Sequence, residues 1–339
     1  MSRAFAPSEY HEAALAATTQ RFAYDGGKLE EWQPRLREAF KSLIGWDDQR
    51  ERVPLAVETI EVEDAGGYTR RKLVFTSEVG ADVPCHLLVP KGLTEPVPAF
   101  VCLQGHTTGM HISLGVAKYP GDEGAIASGD RDFAIRAVRE GYVALVVEQR
   151  SFGERAETKQ KQRAQNGCED AAMHALMLGR PLIAERAWDV SRAMDLLLTI
   201  PEIRADRIGC MGNSGGGSIT FYAACLDERI WLAMPSCSFC TYVDSLFRIY
   251  HCPDNFIPGI LKVAEMGDLA GLIAPRKLIV VAGREDDIFP IAGVERAFAR
   301  AANLYEAAGA SDNIRLVIGD GGHRFYAAQG WATVREMLR

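Results

Sequence analysis

Ser214 lies at the middle of Gly212-Asn213-Ser214-Gly215-Gly216. The run Asp206 to Met211 before it reads as a strand, and the small, then apolar, run Gly217 to Ala224 after it reads as a helix. A Ser on a sharp turn between strand and helix is the G-x-S-x-G nucleophile elbow. Such a turn forces the Ser into strained dihedrals, and small residues two before and two after it let strand and helix approach closely. The competing reading is a glycine-rich phosphate cradle. No Lys follows Ser214 and the first strand of the fold lies far upstream, so the nucleophile reading is preferred.

A Ser hydroxyl is a poor nucleophile at neutral pH and needs a His to take its proton and an acid to orient that His. Among seven His, His323 follows a core strand in the glycine-rich stretch Gly319-Asp320-Gly321-Gly322. The ends of parallel strands share one rim, so His323 is expected beside the elbow. The acid should follow the preceding strand, in Gly283-Arg284-Glu285-Asp286-Asp287-Ile288-Phe289-Pro290. Asp286 is chosen, with Gly283 turning the chain and Pro290 four residues on; Asp287 is the runner-up and Glu285 a solvated neighbour. Acyl chemistry also needs two N–H groups aimed at the developing oxyanion. Gly215 supplies one. The other is assigned to His106, in the loop Gln104-Gly105-His106-Thr107-Thr108-Gly109, whose imidazole reads equally well as wall.

Two further constellations are weighed. Cys237, Cys240, His251 and Cys252 suggest zinc only weakly, because their spacing forms no recognised knuckle and adjacent His-Cys ligands are awkward in a tetrahedron. No metal is expected. Arg150, in Glu148-Gln149-Arg150-Ser151-Phe152-Gly153, is expected to pin loops through carboxylates rather than to bind an acidic substrate group.

These residues need a scaffold. Residues 1–50 read as helical, over Glu9 to Gln20 and Leu29 to Ile44, with Gly45 as the stop. This extension either packs on the core or contributes an active-site wall or an oligomer contact. Residues 55–64, 68–78 and 83–90 look like antiparallel strands. Wholly apolar strands follow at 99–103 and 143–147, with a helix at Phe133 to Arg139. A long helix from Pro181 to Ile200 carries Trp188, Met194 and Leu197 on one face. Then come strand 207–211, helix 215–226, strand 230–234, an irregular helical region 236–273, strand 277–282, helix 292–308, strand 314–318 and a closing helix. Alternating strands and helices imply a mostly parallel sheet covered on both sides. The expected partition is an N-terminal helical extension, 1–50, and one catalytic domain, 51–339.

The 339 residues are 47% hydrophobic and 24% charged, an ordinary globular composition. A net charge of −7 argues against nucleic acid or an anionic membrane as partner. The tightest basic run, Arg155 to Arg163, also holds Glu154 and Glu157 at its edge and within it. Eight Cys show no framework spacing, the first residues lack an apolar signal core, and no stretch approaches about 18 apolar residues. The expectation is a cytoplasmic chain with free thiols.

Over roughly residues 80–339 the chain resembles the α/β-hydrolase superfamily, in particular its bacterial acetyl xylan esterase-like and dienelactone hydrolase-like branch. The resemblance is carried by Leu103 to Gly109, Glu148 to Arg155, Gly212 to Gly217, His251 to Gly259, Ala274 to Leu278 and Gly322 to Tyr326. It implies an α/β-hydrolase fold and a serine carboxylesterase acting on small or medium acyl esters, with acetylated carbohydrates among the candidates. No cofactor is implied; the partner is a small-molecule ester, and a homo-oligomer is compatible. Ser214 stands where dienelactone hydrolases have Cys, so their reaction is not carried over. Gln104-Gly105-His106 stands where many deacetylases have His-Gly-Tyr. The alternatives are a prolyl-oligopeptidase-like peptidase, for whose gating propeller the chain has no room, and a non-catalytic binding protein, which an intact Ser, Asp and His oppose.

Overall fold

The computed structural model of the chain describes residues 5–157 and 167–338. Most of the basic run Arg155 to Arg163 therefore lies outside the described residues. The strands are β1 (Glu58–Asp64), β2 (Tyr68–Glu78), β3 (Ala81–Pro90), β4 (Val97–Leu103), β5 (Val143–Val147), β6 (Ile203–Asn213), β7 (Leu232–Ser236), β8 (Lys277–Gly283) and β9 (Ile314–Gly319). The α-helices are α1 (Pro7–Ala16), α2 (Leu29–Leu43), α3 (Asp122–Ala127), α4 (Phe133–Arg139), α5 (Gly167–Met177), α6 (Leu182–Leu197), α7 (Gly215–Leu226), α8 (Met266–Leu269), α9 (Ile291–Ala307) and α10 (Ala327–Leu338).

All nine strands join one sheet in the order β1-β2-β3-β5-β4-β6-β7-β8-β9. The pairs from β1 to β5 across β2 and β3 are antiparallel, and those from β5 to β9 are parallel. Successive side chains of a strand face opposite sides. In β4, Ala99, Val101 and Leu103 enter one core cluster while Phe100 and Cys102 enter another, and β8 divides its residues in the same way. This is why the apolar strands show no alternation: both faces are covered. The larger cluster packs under α2, α6, α7 and α9, the smaller under α4 and α10.

The N-terminal extension is anchored through α2. Leu36 and Phe40 are fully buried, Gln33 Nε2 donates to the carbonyls of Gly271 and Ala274, and Arg37 donates to those of Cys225 and Leu272. Gly45, at φ 64°, follows the helix in the left-handed conformation expected of its stop. By contrast, α1 buries no residue.

One element departs from its sequence reading. Instead of one apolar face, α6 is buried almost all round, including Glu185, Arg186, Asp189 and Arg192. The residues after α2 cover its outer side: Trp46 meets Trp188 edge-on with ring centroids 5.5 Å apart, and the guanidinium groups of Arg50 and Arg52 lie over the Trp188 ring. The buried charges are paired. Arg150 donates to Asp189 at 2.9 Å and Glu185 at 3.0 Å, and Arg155 to Asp189 at 2.7 Å. Arg150 thus holds loops together through carboxylates. Short helices α3 and α5 were not anticipated. Among the described residues, no helix is long and apolar enough to cross a membrane.

The extension should contribute directly to stability. Phe40 stacks on Tyr222 of α7 at 5.9 Å, so Phe40→Ala is expected to lower the unfolding free energy by about 3–5 kcal/mol. Urea unfolding of the full chain measures this. A loss below about 1 kcal/mol, smaller than the usual range for emptying a core aromatic site, would show that α2 is not integral to the core.

Candidate active site

The site begins with one backbone conformation. Ser214, between β6 and α7, has φ 57° and ψ −128°, a region that a non-glycine residue occupies only under strain. Strand and helix are correspondingly close. A Cβ on Gly212 would come within 2.5 Å of the Gly216 backbone, and one on Gly216 would collide with the Leu103 carbonyl. Ser214 N–H donates to Ser236 O at 2.9 Å, and its own carbonyl accepts from Ser218 N–H at 2.9 Å. The side chain is thereby held at the rim where the parallel strands end.

The expected acid and base meet on that rim. His323 Nδ1 and Asp286 Oδ2 are 2.9 Å apart. Asp286 is buried, and its other oxygen accepts from Ile288 N–H at 2.9 Å and Phe289 N–H at 3.1 Å. Burial raises the Asp286 carboxyl, but His323 and the two amides outweigh it, and the group stays below the usual carboxylate value. Asp287 and Glu285 are exposed. A carboxylate on Nδ1 leaves Nε2 as the ring atom able to accept a proton. Two contacts tie this pair to the elbow: Ser236 Oγ reaches Asn213 Oδ1 at 2.8 Å and Arg324 O at 3.5 Å, and Phe289, which lines the Ser214 cleft, stacks on His323 at 6.0 Å.

The loop after β4 backs onto the same point. A Cβ on Gly105 would stand 2.8 Å from Ser214 Cβ and 3.0 Å from Gly215 N. Buried Gln104 fixes the loop by donating to Ser113 Oγ at 2.7 Å and Arg131 O at 2.8 Å, while Gln149 donates to the Gln104 carbonyl. Gly215 opens α7, so its N–H has no partner one turn earlier in the helix. The structure thus brings Ser214, Gly215 and His106 into one cleft of about 200 Å³, with Tyr250, His251, Cys252, Asn255, Ile288 and Phe289 as its other walls.

The His106 side chain has a constellation of its own. Its Nε2 lies 3.1 Å from Asp254 Oδ2, and Arg186 Nη1 lies 2.6 Å from the same oxygen. Burial pushes the imidazole down, but the bonds to Asp254 and Cys252 and the Asp254 charge outweigh it and raise it to about 9. His251 behaves in the opposite way: burial, then the nearby His323 and His106, push it down to about 4. Its Nε2 is 2.9 Å from Ser245 Oγ, which donates to Ile288 O. Arg186 and Asp254 are the residues that sequence reasoning missed. The stretch containing Asp254 stood out as a marker, but nothing in the chain order signals a partner on α6.

Cys237, Cys240, His251 and Cys252 are not gathered into one site. Cys237 lies beside Asp286 and His323, whereas Cys252 lies beside His106, Cys168 and Asp254. In the second group the two sulfurs are 2.8 Å apart, closer than the roughly 3.8 Å set by two 2.3 Å zinc–thiolate bonds in a tetrahedron. The carboxylate there is already held by a guanidinium. Neither feature suits zinc.

The chain matches the Abhydrolase family over residues 14–318 and belongs to it. It is 26% identical over 294 residues to the "Putative hydrolase YtaP" of Bacillus subtilis (strain 168), covering 85% of this chain and 93% of that protein. Among solved structures it resembles a "putative acetyl xylan esterase" of Bacteroides fragilis NCTC 9343, with TM-score 0.77, 21% identity and coverage of 94% of this chain and 83% of that one. It also resembles a glucuronoyl esterase of Solibacter usitatus, with TM-score 0.64, 16% identity and coverage of 93% and 94%. By family and by fold the chain is an α/β-hydrolase.

The geometry separates the two competing acids. Asp286→Asn should reduce kcat on an activated ester by on the order of 10²–10⁴, because the His323 tautomer is no longer held. Asp287→Asn should leave it nearly unchanged. Steady-state kinetics of the two purified variants decides, and the reverse ranking would move the acid by one residue.

Proposed function

We propose that the protein is a serine carboxylesterase that hydrolyses small or medium acyl esters, with acetylated carbohydrates as the leading substrate class. Ser214 Oγ attacks the ester carbonyl while His323 Nε2 takes its proton. Asp286 holds the ring and stabilises the imidazolium that forms. The amides of Gly215 and His106 receive the negative charge on the carbonyl oxygen. The imidazolium then protonates the leaving alcohol, and water releases the acyl group from Ser214 by the same steps in reverse. No organic cofactor or metal enters this scheme.

The observation that carries the reading is the strained Ser214 at the start of α7, on the rim that also holds the His323–Asp286 pair at 2.9 Å. Two features support the substrate class. The cleft beside Ser214 is small, about 200 Å³, which suits a short acyl group. A groove of about 630 Å³ includes Thr107, next in the chain to His106, and Lys72, Thr108, Glu148, Ser151 and Glu154, groups able to hydrogen-bond a hydroxylated alcohol. The esterases named above, which resemble this fold, agree with that choice.

Ser214→Ala is expected to lower kcat by about 10⁴–10⁶ while leaving the fold intact. A fluorophosphonate probe should label the wild type at Ser214 and leave the variant unlabelled. Near-normal turnover by the folded variant removes the mechanism. A panel of p-nitrophenyl esters, acetylated sugars and aminoacyl anilides tests the substrate class, and preference for the anilides would replace the esterase by a peptidase. Activity should also survive prolonged chelation, with metal content measured in parallel.

A further inference from the structure

Under the proposed mechanism, His106 provides a backbone amide and its imidazole is idle. The geometry gives that ring a part. Its Nε2 is bonded to Asp254 Oδ2, which fixes a proton on Nε2. The state of Nδ1 is then the only variable. Nδ1 and Cε1 form the ring edge nearest Gly215, standing 3.4 and 3.5 Å from the place a Cβ on that residue would occupy. At that edge a neutral ring would present a lone pair beside Gly215, whose amide is the assigned oxyanion donor; a protonated ring would present an N–H.

The surroundings decide between these states. Asp254 is buried, and although burial opposes its ionisation, Arg186 and His106 hold its carboxyl well below the usual range. It cannot swing away, because Arg186 Nη1 holds the same oxygen while Arg186 Nε and Nη2 grip the Arg150 carbonyl at 3.2 and 2.8 Å. Phe152 closes the arrangement, edge-on to His106 at 5.1 Å and under the Arg186 guanidinium at 4.4 Å.

We propose that the His106 side chain, kept protonated by the buried Asp254, donates from Nδ1 to the oxyanion formed at Ser214 and so acts as a third, cationic donor beside the two backbone amides. This rests on the esterase reading. His106 is then a catalytic residue, and Asp254 and Arg186 are positioning residues that act through it. A fixed, pre-oriented charge at this place is effective because it needs no reorganisation when the oxyanion appears. No proton is transferred: Nδ1–H donates in the tetrahedral state and remains on the ring when the carbonyl re-forms.

The other groups around His106 do not imitate this ionisation. Arg186 supplies a guanidinium held on Asp254. The Cys252 thiol is pushed far up by Cys168 and burial, and His251 is pushed down to about 4. Cys168, Tyr250 on the cleft wall and, across the cleft, His323 are further titratable neighbours. Removal of His106 separates their contributions from its own.

The experiment is the pH dependence of kcat for p-nitrophenyl acetate between pH 6 and 10.5, in wild type, His106→Gln and Asp254→Asn. Raised to about 9, His106 is charged below that pH and loses its proton above it. The wild type should therefore show an alkaline fall centred near pH 9. His106→Gln should lose the fall and run on a lower plateau, reduced on the order of 10–100-fold at pH 7.5, somewhat less than the loss of a buried oxyanion donor. Asp254→Asn should shift the fall to lower pH. If that variant does not fold, because Arg186 is left unpaired, His106→Gln alone carries the test. No alkaline fall in the wild type, or an equal fall in His106→Gln, overturns the proposal. A wild type inert toward all esters would sink the esterase reading instead; NMR titration of the His106 ring in Ser214→Ala still reads its charge, and a ring neutral at pH 7.5 overturns the proposal on its own.

Discussion

The close approach of β6 to α7 at Ser214 governs the rest of the molecule. A helix can begin one residue after a strand ends in this way only if the linking residue accepts a positive φ and the residues two before and two after it carry no Cβ. Gly212 and Gly216 meet the second condition, and Ser214 bears the first at φ 57°, a conformation worth about 1–3 kcal/mol of strain. Strain of that size persists only where neighbours over-determine the geometry. Here β6 lies between β4 and β7, Ser236 O accepts the Ser214 amide, and α7 is buried along its whole length. The same constraint aligns the ends of β4, β8 and β9, and hence His106, Asp286 and His323, with the Ser.

A second layer, of charge, keeps the loops on that rim in register. Arg150 leaves the end of β5 and meets Asp189 and Glu185 of α6. Its backbone carbonyl takes two donors from Arg186, and Arg186 in turn holds Asp254. A chain of paired groups therefore runs from α6, through the loop after β5, to the loop carrying Asp254. Buried ion pairs of this kind contribute less to stability than their number suggests, since desolvation offsets much of the attraction. Breaking one is harmful because the partner is left charged and dry. Their value here is positional: they fix which way the loop side chains face.

Legibility in the sequence follows the range of the interaction. Strand β5 and helices α4 and α7 were readable to the residue, because unbroken apolar runs and glycine stops act locally. The placement of Ser214, Asp286 and His323 on one rim was readable because each follows a strand, and parallel strands bring their ends together whatever the intervening length. The one-sided reading of α6 failed: Glu185, Arg186 and Asp189 look like a solvated face until Arg150, Arg155 and Asp254 arrive from distant loops to neutralise them. Helices α3 and α5 were missed because neither carries an apolar period long enough to separate it from loop. The Asp254–His106 contact spans loops with no common pattern, so only three-dimensional closure reveals it.

Two His–Asp pairs flank Ser214, and they are wired in opposite senses. Asp286 binds His323 through Nδ1 and leaves Nε2 free; Asp254 binds His106 through Nε2 and leaves Nδ1 free. The carboxylates also differ in what else they serve. Asp286 spends its second oxygen on two backbone amides, which stabilise its charge without adding another full positive charge. Asp254 shares one oxygen between His106 and a buried guanidinium, so the group around it carries an excess of positive charge whenever the ring is protonated. A proton-transfer base must gain and lose its proton within each turnover, whereas an electrostatic donor must keep it. Under the proposed roles, similar residue pairs can meet those opposed demands only if their surroundings differ; at His106 the Asp254 carboxylate and Cys252 outweigh burial and the opposing charge of Arg186. His251, pushed down by both imidazoles as well as by burial, stays neutral between them. In the proposed mechanism His251 therefore adds no further cation to oppose the transient positive charge on His323.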